Sequence, residues 1–329
     1  MKQRIVLAAA FIAALGISCN VFQPPIAPYT YTGMPPFHFN ATNFWYQKIA
    51  TNAAIDTNSP AMVSNIVQNR PAYSPWGVPH TAICYADANT RRYNVPVNAV
   101  YPPHTGIRSV PIPEHMLPEK ISDSHVAIVD TNGGFSYEFW NMRVLNGRWV
   151  SGNAAIFSLA GNGVNQFISA RASGFSLLAG LIWPQEILST NIQHALVISW
   201  QNTRKGGAVA PATYSDGWRD EPGAIPMGAL IQLDPAFDIT TISNADKYQL
   251  AIFRALQEYG GYICDTGGFS FYLVSLQSYA ENPYSVIPSY SLENNSIDLS
   301  ILPLERLRVI QMGPEREKTN GYAFPEMYY

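Results

Sequence analysis

Two histidines head alternating apolar runs: His125 opens the run to Asp130, and His194 opens the run to Trp200. An imidazole titrates near neutral pH, so a pair of them facing one hollow could move protons. Tyr214 and Glu138 are the groups placed to join them, since burial can tune either into the working range. His125, His194, Tyr214 and Glu138 are therefore the candidate catalytic set. The polar stretch from Tyr214 to Glu221 lies outside any periodic element and concentrates Asp216, Trp218 and Arg219. Sugars offer apolar C–H faces and a hydroxylated rim, which aromatic platforms beside Asp and Arg recognise. Arg171, Asp216, Trp218 and Arg219 form the candidate substrate-binding set.

Three functions fit these residues. A polysaccharide lyase needs His or Tyr as base and a group such as Arg171 to neutralise a uronate carboxylate. A glycoside hydrolase needs two flanking carboxylates, of which Glu138 would be one. A non-catalytic glycan-binding or structural surface protein needs only the aromatic loop. Each histidine also has a bland reading, as a hydrogen-bonded residue at the end of a strand. Other templates fail. The chain has no Gly-x-Ser-x-Gly elbow, phosphate-binding loop, dinucleotide fingerprint or His-Glu-x-x-His. Asp265-Thr-Gly267 occurs once, whereas an aspartic protease needs two such aspartates. No residue spacing calls for a metal or cofactor, and calcium binding is left open.

The elements that must position these groups read as short strands. Asn132-Gly133 predicts a hairpin joining 125–130 to 135–140, and Asn146-Gly147 joins 142–145 to 148–151. Further strands are expected over 81–85, 93–100, 192–200, 224–233, 269–276 and 307–311. Nine prolines between residues 70 and 120 limit strands there to edges or brief pairings. Ser59 before Pro60 suggests the N-cap of a short helix. One clear helix is expected over about 244–259, capped by Ser243 or Asn244 and ended at Gly260. Many short strands with one good helix and a few short ones predict a mostly β fold, sandwich- or jelly-roll-like.

Of the 329 residues only 13% are charged, against about 25% in average domains, and the net charge is −3. With Lys and Arg scattered, nucleic acid is excluded as a partner, and a polysaccharide or glycan is the expected one. Residues 1–19 carry a basic start, a short apolar stretch and Gly16-Ile-Ser-Cys19, which reads as a signal peptide with Cys19 as a lipidation site. Ordinary cleavage nearby is the alternative. Export to the periplasm, outer membrane or exterior follows, with membrane contact only through that lipid. Residues 20–36 form a Pro-rich tether and 37–329 one β-rich domain. Cys84 and Cys264 lie in strand-like runs, as either a disulfide or two buried thiols.

The middle of the chain contains Ser169 to Gly180, Ile192-Gln-His-Ala-Leu196, Pro226-Met-Gly228 and Tyr259-Gly260, in that order. With Ser124 to Asp130 and Tyr137-Glu138, this set resembles a family of secreted bacterial β-sandwich proteins that has no agreed function. The family's first motif has a Gly-Leu-Pro-Leu-Leu-Pro-Gly-Leu core, from which this chain departs at Phe175 and Ala179. The resemblance spans roughly residues 120–265. It implies a shared exported β fold and, by analogy, a carbohydrate-related role.

Overall fold

The structure, a computed structural model, describes residues 39–40, 42–97, 105–166 and 169–317. The expected signal peptide with Cys19, and the expected tether over 20–36, lie outside the described residues. In chain order the main elements are α1 (Ser59–Asn69), β1 (Trp76–Ala86), β2 (Arg92–Val97), β3 (Thr105–Pro111), β4 (Val126–Asp130) and β5 (Phe135–Trp140). Next come β6 (Arg143–Leu145), β7 (Arg148–Val150), β8 (Asn153–Ser158), α2 (Pro184–Leu188), β9 (Leu196–Ser199), β10 (Leu230–Leu233) and α3 (Lys247–Glu258). The last are β11 (Gly261–Asp265), β12 (Ser270–Val274), β13 (Tyr290–Ser291), β14 (Ser296–Asp298) and β15 (Leu307–Val309). The fold is mostly β and sandwich-like, with few helices.

One mixed sheet runs β15-β10-β11-β9-β12-β1-β4-β5-β8, and β1 is its hinge member. Residues 76–81 of β1 pair in parallel with β12, and residues 82–86 pair in parallel with β4. The register shifts between Pro79 and Thr81. Proline has no N–H to give a ladder, so an interruption at this point is where a strand this long tolerates one. The expectation of only brief strands in this Pro-rich region is thus corrected: β1 is long and central.

Both faces of the β1–β4–β5–β8 half are covered, which is why every residue of β4 is buried. Val126 and Ile128 point into one apolar cluster, together with Val95 and Val97 of β2 and Ile107 and Val110 of β3. Ala127 and Val129 point into the other, which holds Trp45, Phe175, Leu196 and Phe271. The β2–β3 ribbon therefore supplies a second layer over this half.

The helix caps differ by a few residues from expectation. Asp246, not Ser243 or Asn244, caps α3: its carboxylate accepts from the N–H groups of Tyr248 and Gln249 at 2.8 and 2.9 Å. Gln249 returns a bond to the Asp246 N–H, closing a capping box. Asn58 is the N-cap of α1, and Ser59 is its first residue, with a hydroxyl that accepts from Val309 N–H. Gly260 follows α3 with φ +74, as a helix end needs. The strand expected over 224–233 shortens to β10, because residues 224–229 hold only an isolated bridge at Ile225 and a turn at 227–228.

Candidate functional site

Where β1 changes partners, the sheet opens into a cavity of about 530 Å³, within the range of small-molecule sites. Its walls are the ends of several strands: Val78 and His80 from β1, Ser199 from the end of β9, and Asp265 from the end of β11. His125 enters just before β4, and Tyr214 and Asp216 enter from the loop after residue 213. Among the described lining residues there are three aspartates (123, 216 and 265) and two histidines (80 and 125), with no Lys or Arg.

Local backbone explains the placement. Ser124 holds a positive φ of +46 between Asp123 and His125, so the chain bends immediately before entering β4. Asn141 N–H donates to the carbonyl of Asp123, and the Trp140 indole N–H donates to Asp123 Oδ1 at 3.2 Å. The loop carrying Asp216 is pinned to residues 203–205: Trp218 and Arg219 N–H groups both donate to the Thr203 carbonyl. The approach is close enough that a Cβ on Gly217 would lie 2.0 Å from Arg204 O. This turn demands glycine.

Thr266 links two of the carboxylates. Its N–H donates to Asp265 Oδ1 at 3.0 Å, and its hydroxyl donates to Asp216 Oδ1 at 2.6 Å. With that proton committed, the buried Thr203 hydroxyl, 2.6 Å away, is the donor to Thr266 Oγ1. Asp216 is exposed, while Asp265 meets the cavity on one side and protein on the others. Burial, and next the charge of Asp216, push the Asp265 carboxyl up to about 7, against the pull of His125 and Arg171. The asymmetry sets a carboxyl with a raised pKa beside the exposed Asp216 in one hollow.

The histidines form a second group. His125 Nδ1 lies 2.7 Å from Glu119 Oε1, and its Nε2 lies 3.2 Å from the Ala170 carbonyl. His80 stacks on Tyr272 with ring centroids 3.9 Å apart, and lies 4.5 Å from the His125 ring. Burial, then His125 and Arg171, hold His80 well below the usual imidazole range, so it is neutral at pH 7.

Of the predicted residues, His125, Tyr214 and Asp216 line the cavity. The others do not, which corrects the expected convergence. His194 is buried elsewhere, with Nε2 3.1 Å from Glu186 Oε2 and Nδ1 2.9 Å from the Ala195 carbonyl. Glu138 is fully buried, and accepts from the Ser136 and Ser176 hydroxyls and the Leu177 N–H. It anchors the 176–177 turn to the sheet rather than facing a substrate. Arg171 is also fully buried, and its guanidinium donates to the carbonyls of Ser176, Leu177 and Ala179. It organises the turn and lies behind the lining, with its guanidinium 5.5 Å from the ring centre of Tyr272. Trp218 is exposed, stacks on the Arg219 guanidinium at 3.6 Å, and donates to the Gln201 carbonyl, outside the lining. Cys84 and Cys264 are free and buried in different apolar clusters, so no disulfide joins them.

Sequence reasoning missed His80, Asp123 and Asp265 as site residues. Asp123 sits two before His125, a spacing that could have flagged it; Asp265 lies in the Asp-Thr-Gly segment set aside for want of a second copy. His80 had no local signal, because the register shift in β1 beside it, between Pro79 and Thr81, is a tertiary feature. Among the described residues no helix is long and apolar enough to cross a membrane. No family model matches the chain, and neither the curated proteins nor the solved structures contain a match.

Proposed function

We propose that this is an exported carbohydrate-handling enzyme that cleaves a neutral glycan by acid–base hydrolysis. Asp265 is the general acid and Asp216 the base or nucleophile. The observation that carries this reading is the bridging of these two carboxylates by Thr266 at the floor of one cavity. Glycoside hydrolysis needs one protonated and one ionised carboxyl flanking the bond. A buried Asp265 beside an exposed Asp216 supplies that division. Tyr214 offers a ring for a sugar face, and the exposed Trp218, stacked on Arg219, adds an aromatic surface on the same loop.

Elimination on a uronate is the weaker reading of the same residues. His125 and Tyr214 are present for it, but a uronate carboxylate would meet three aspartates and no lining cation among the described residues. Arg171, the expected neutraliser, lies outside the lining and turns both Nη groups to backbone carbonyls.

The test is incubation of purified protein with neutral and uronate polysaccharides, following reducing ends and the ultraviolet absorbance of unsaturated ends. New reducing ends without absorbance, abolished by Asp265→Asn, support hydrolysis. Absorbance from unsaturated ends replaces it with elimination. Glycan binding without either product leaves a binding protein.

A further inference from the structure

We propose that His80, Asp123 and His125 form a binding site for one divalent transition-metal ion in the cavity wall. One ligand atom from each of the three lies within 4.8 Å of the other two. A first-row ion held at about 2.1 Å by imidazole and carboxylate ligands wants them roughly 3–4 Å apart, so closure needs only small side-chain adjustments. Two imidazoles and one carboxylate on one side of an ion is a set that suits transition metals and leaves positions open. Calcium and magnesium prefer oxygen alone. The cavity in front gives those open positions room for water or a substrate oxygen.

The surroundings are those a metal site requires. A ligating histidine generally donates its second ring N–H to a carboxylate, which fixes the ring and makes the ligating nitrogen more basic. Glu119 is buried and faces the Nδ1 atoms of both rings, 2.7 Å from His125 and 3.9 Å from His80. Its Oε2, on the His80 side, has no hydrogen-bond partner in the described structure. An acceptor buried without a donor costs free energy, and a turn of the His80 ring that exchanges its 3.3 Å contact with Thr81 Oγ1 for Glu119 would satisfy it. With Nδ1–H directed at Glu119, each ring is left to ligate through Nε2. Asp123 has its own support in the Trp140 indole, which holds Oδ1 and leaves Oδ2 free to ligate.

Charge points the same way. Three aspartates share the lining with no Lys or Arg among the described residues, and a divalent ion would offset that concentration. One contact opposes the ion: His125 Nε2 lies 3.2 Å from the Ala170 carbonyl, and metal binding gives up that hydrogen bond. The site stands on these residues alone and does not depend on the hydrolytic reading.

The experiment uses the full chain stripped with chelator, titrated with Co²⁺ by visible absorption and with Zn²⁺ by calorimetry. One ion per chain is expected, with ligand-field bands from Co²⁺. Asp123→Asn, an isosteric change at a half-buried position, should abolish saturable binding, as should His80→Gln. Glu119→Gln should weaken binding by about 10–100-fold, the usual loss for a supporting carboxylate. Circular dichroism confirms that each variant is folded, and Asp123→Asn alone decides the matter if His80→Gln is not. Absence of saturable binding to the wild-type chain, or equal affinity and stoichiometry in Asp123→Asn, overturns the site.

Discussion

His194 Nε2 lies 3.1 Å from Glu186 Oε2, and both side chains are buried behind the sheet, away from the cavity. Both ring nitrogens of His194 face acceptors, Glu186 and the Ala195 carbonyl. Only an imidazolium can donate to both at once. Burial opposes that charge, but the attraction and hydrogen bond of Glu186, with the Ala195 carbonyl, outweigh it and raise the group above its ordinary 6.5. The pair's stabilisation is therefore complete below pH 6.5 and fades as pH rises through the raised value. In denaturant titrations His194→Gln should cost about 3 kcal/mol at pH 6, with a smaller cost at alkaline pH. A cost that stays constant from pH 6 to pH 9 would mean the ring is neutral throughout.

Glu138 carries the opposite burden. Burial drives its carboxyl up to about 7 despite the bonds from Ser176, Leu177 and Ser136. A carboxyl raised in the folded state favours folding below its unfolded value near 4.5, and that advantage is lost as pH climbs to about 7. Wild-type stability should decline over this window relative to Glu138→Gln, by up to about 1.4 kcal/mol per pH unit. Parallel curves for the two proteins would show that Glu138 is already ionised at pH 5.

Arg171 should matter to folding rather than to chemistry. Replacing it with Met removes the donors to three turn carbonyls and leaves those acceptors buried. A loss of about 3 kcal/mol or more is expected, by the cost of breaking a buried charged network. A variant of unchanged Tm would show that the 176–179 turn holds itself.

Asp265→Asn should lower turnover of any cleaved glycan by about 10²–10⁴-fold, the usual contribution of a positioned acid. In the wild type kcat/KM should fall on the alkaline side of about pH 7, where Asp265 loses its proton. Burial raises the Asp265 carboxyl first and the charge of Asp216 next, so in Asp216→Asn the Asp265 carboxyl, titrated directly by infrared difference spectroscopy, should lose its proton at lower pH. An Asp265 titration that stays in place in Asp216→Asn would remove Asp216 from the pair.

The two thiols should be silent until the protein unfolds. Burial raises both far above the ordinary thiol range, Cys264 to about 12, and neither is exposed to a reagent. Thiol titration of the folded protein should find neither residue, and denaturation without reductant should release both. Recovery of a Cys84–Cys264 peptide by mass spectrometry under non-reducing conditions would contradict the structure.

Legibility in the sequence followed the range of the forces involved. The hairpin at Asn132-Gly133 and the bodies of α1 and α3 depend on neighbours in the chain, and all three lie where pattern and turn chemistry place them. His125, Tyr214 and Asp216 were visible as chemistry-bearing residues because each sits outside an apolar repeat. Their company was not visible. His194 resembles His125 in local pattern, and only the distant Glu186 shows that its ring is consumed inside the fold. His80 follows a proline, which reads as a loop until β12 and β4 are seen to claim the two ends of β1. Arg171 and Glu138 read as substrate-binding and catalytic groups, and their burial comes from partners in the 176–179 turn that no periodicity announces.

The division of β1 between two sets of partners has a mechanical outcome. Neither half of the sheet can melt while the other stays intact, since each depends on a segment of the same eleven-residue ribbon. Calorimetry should show the two halves leaving the native state together. Anything that grips the junction at His80 would stiffen both halves at once.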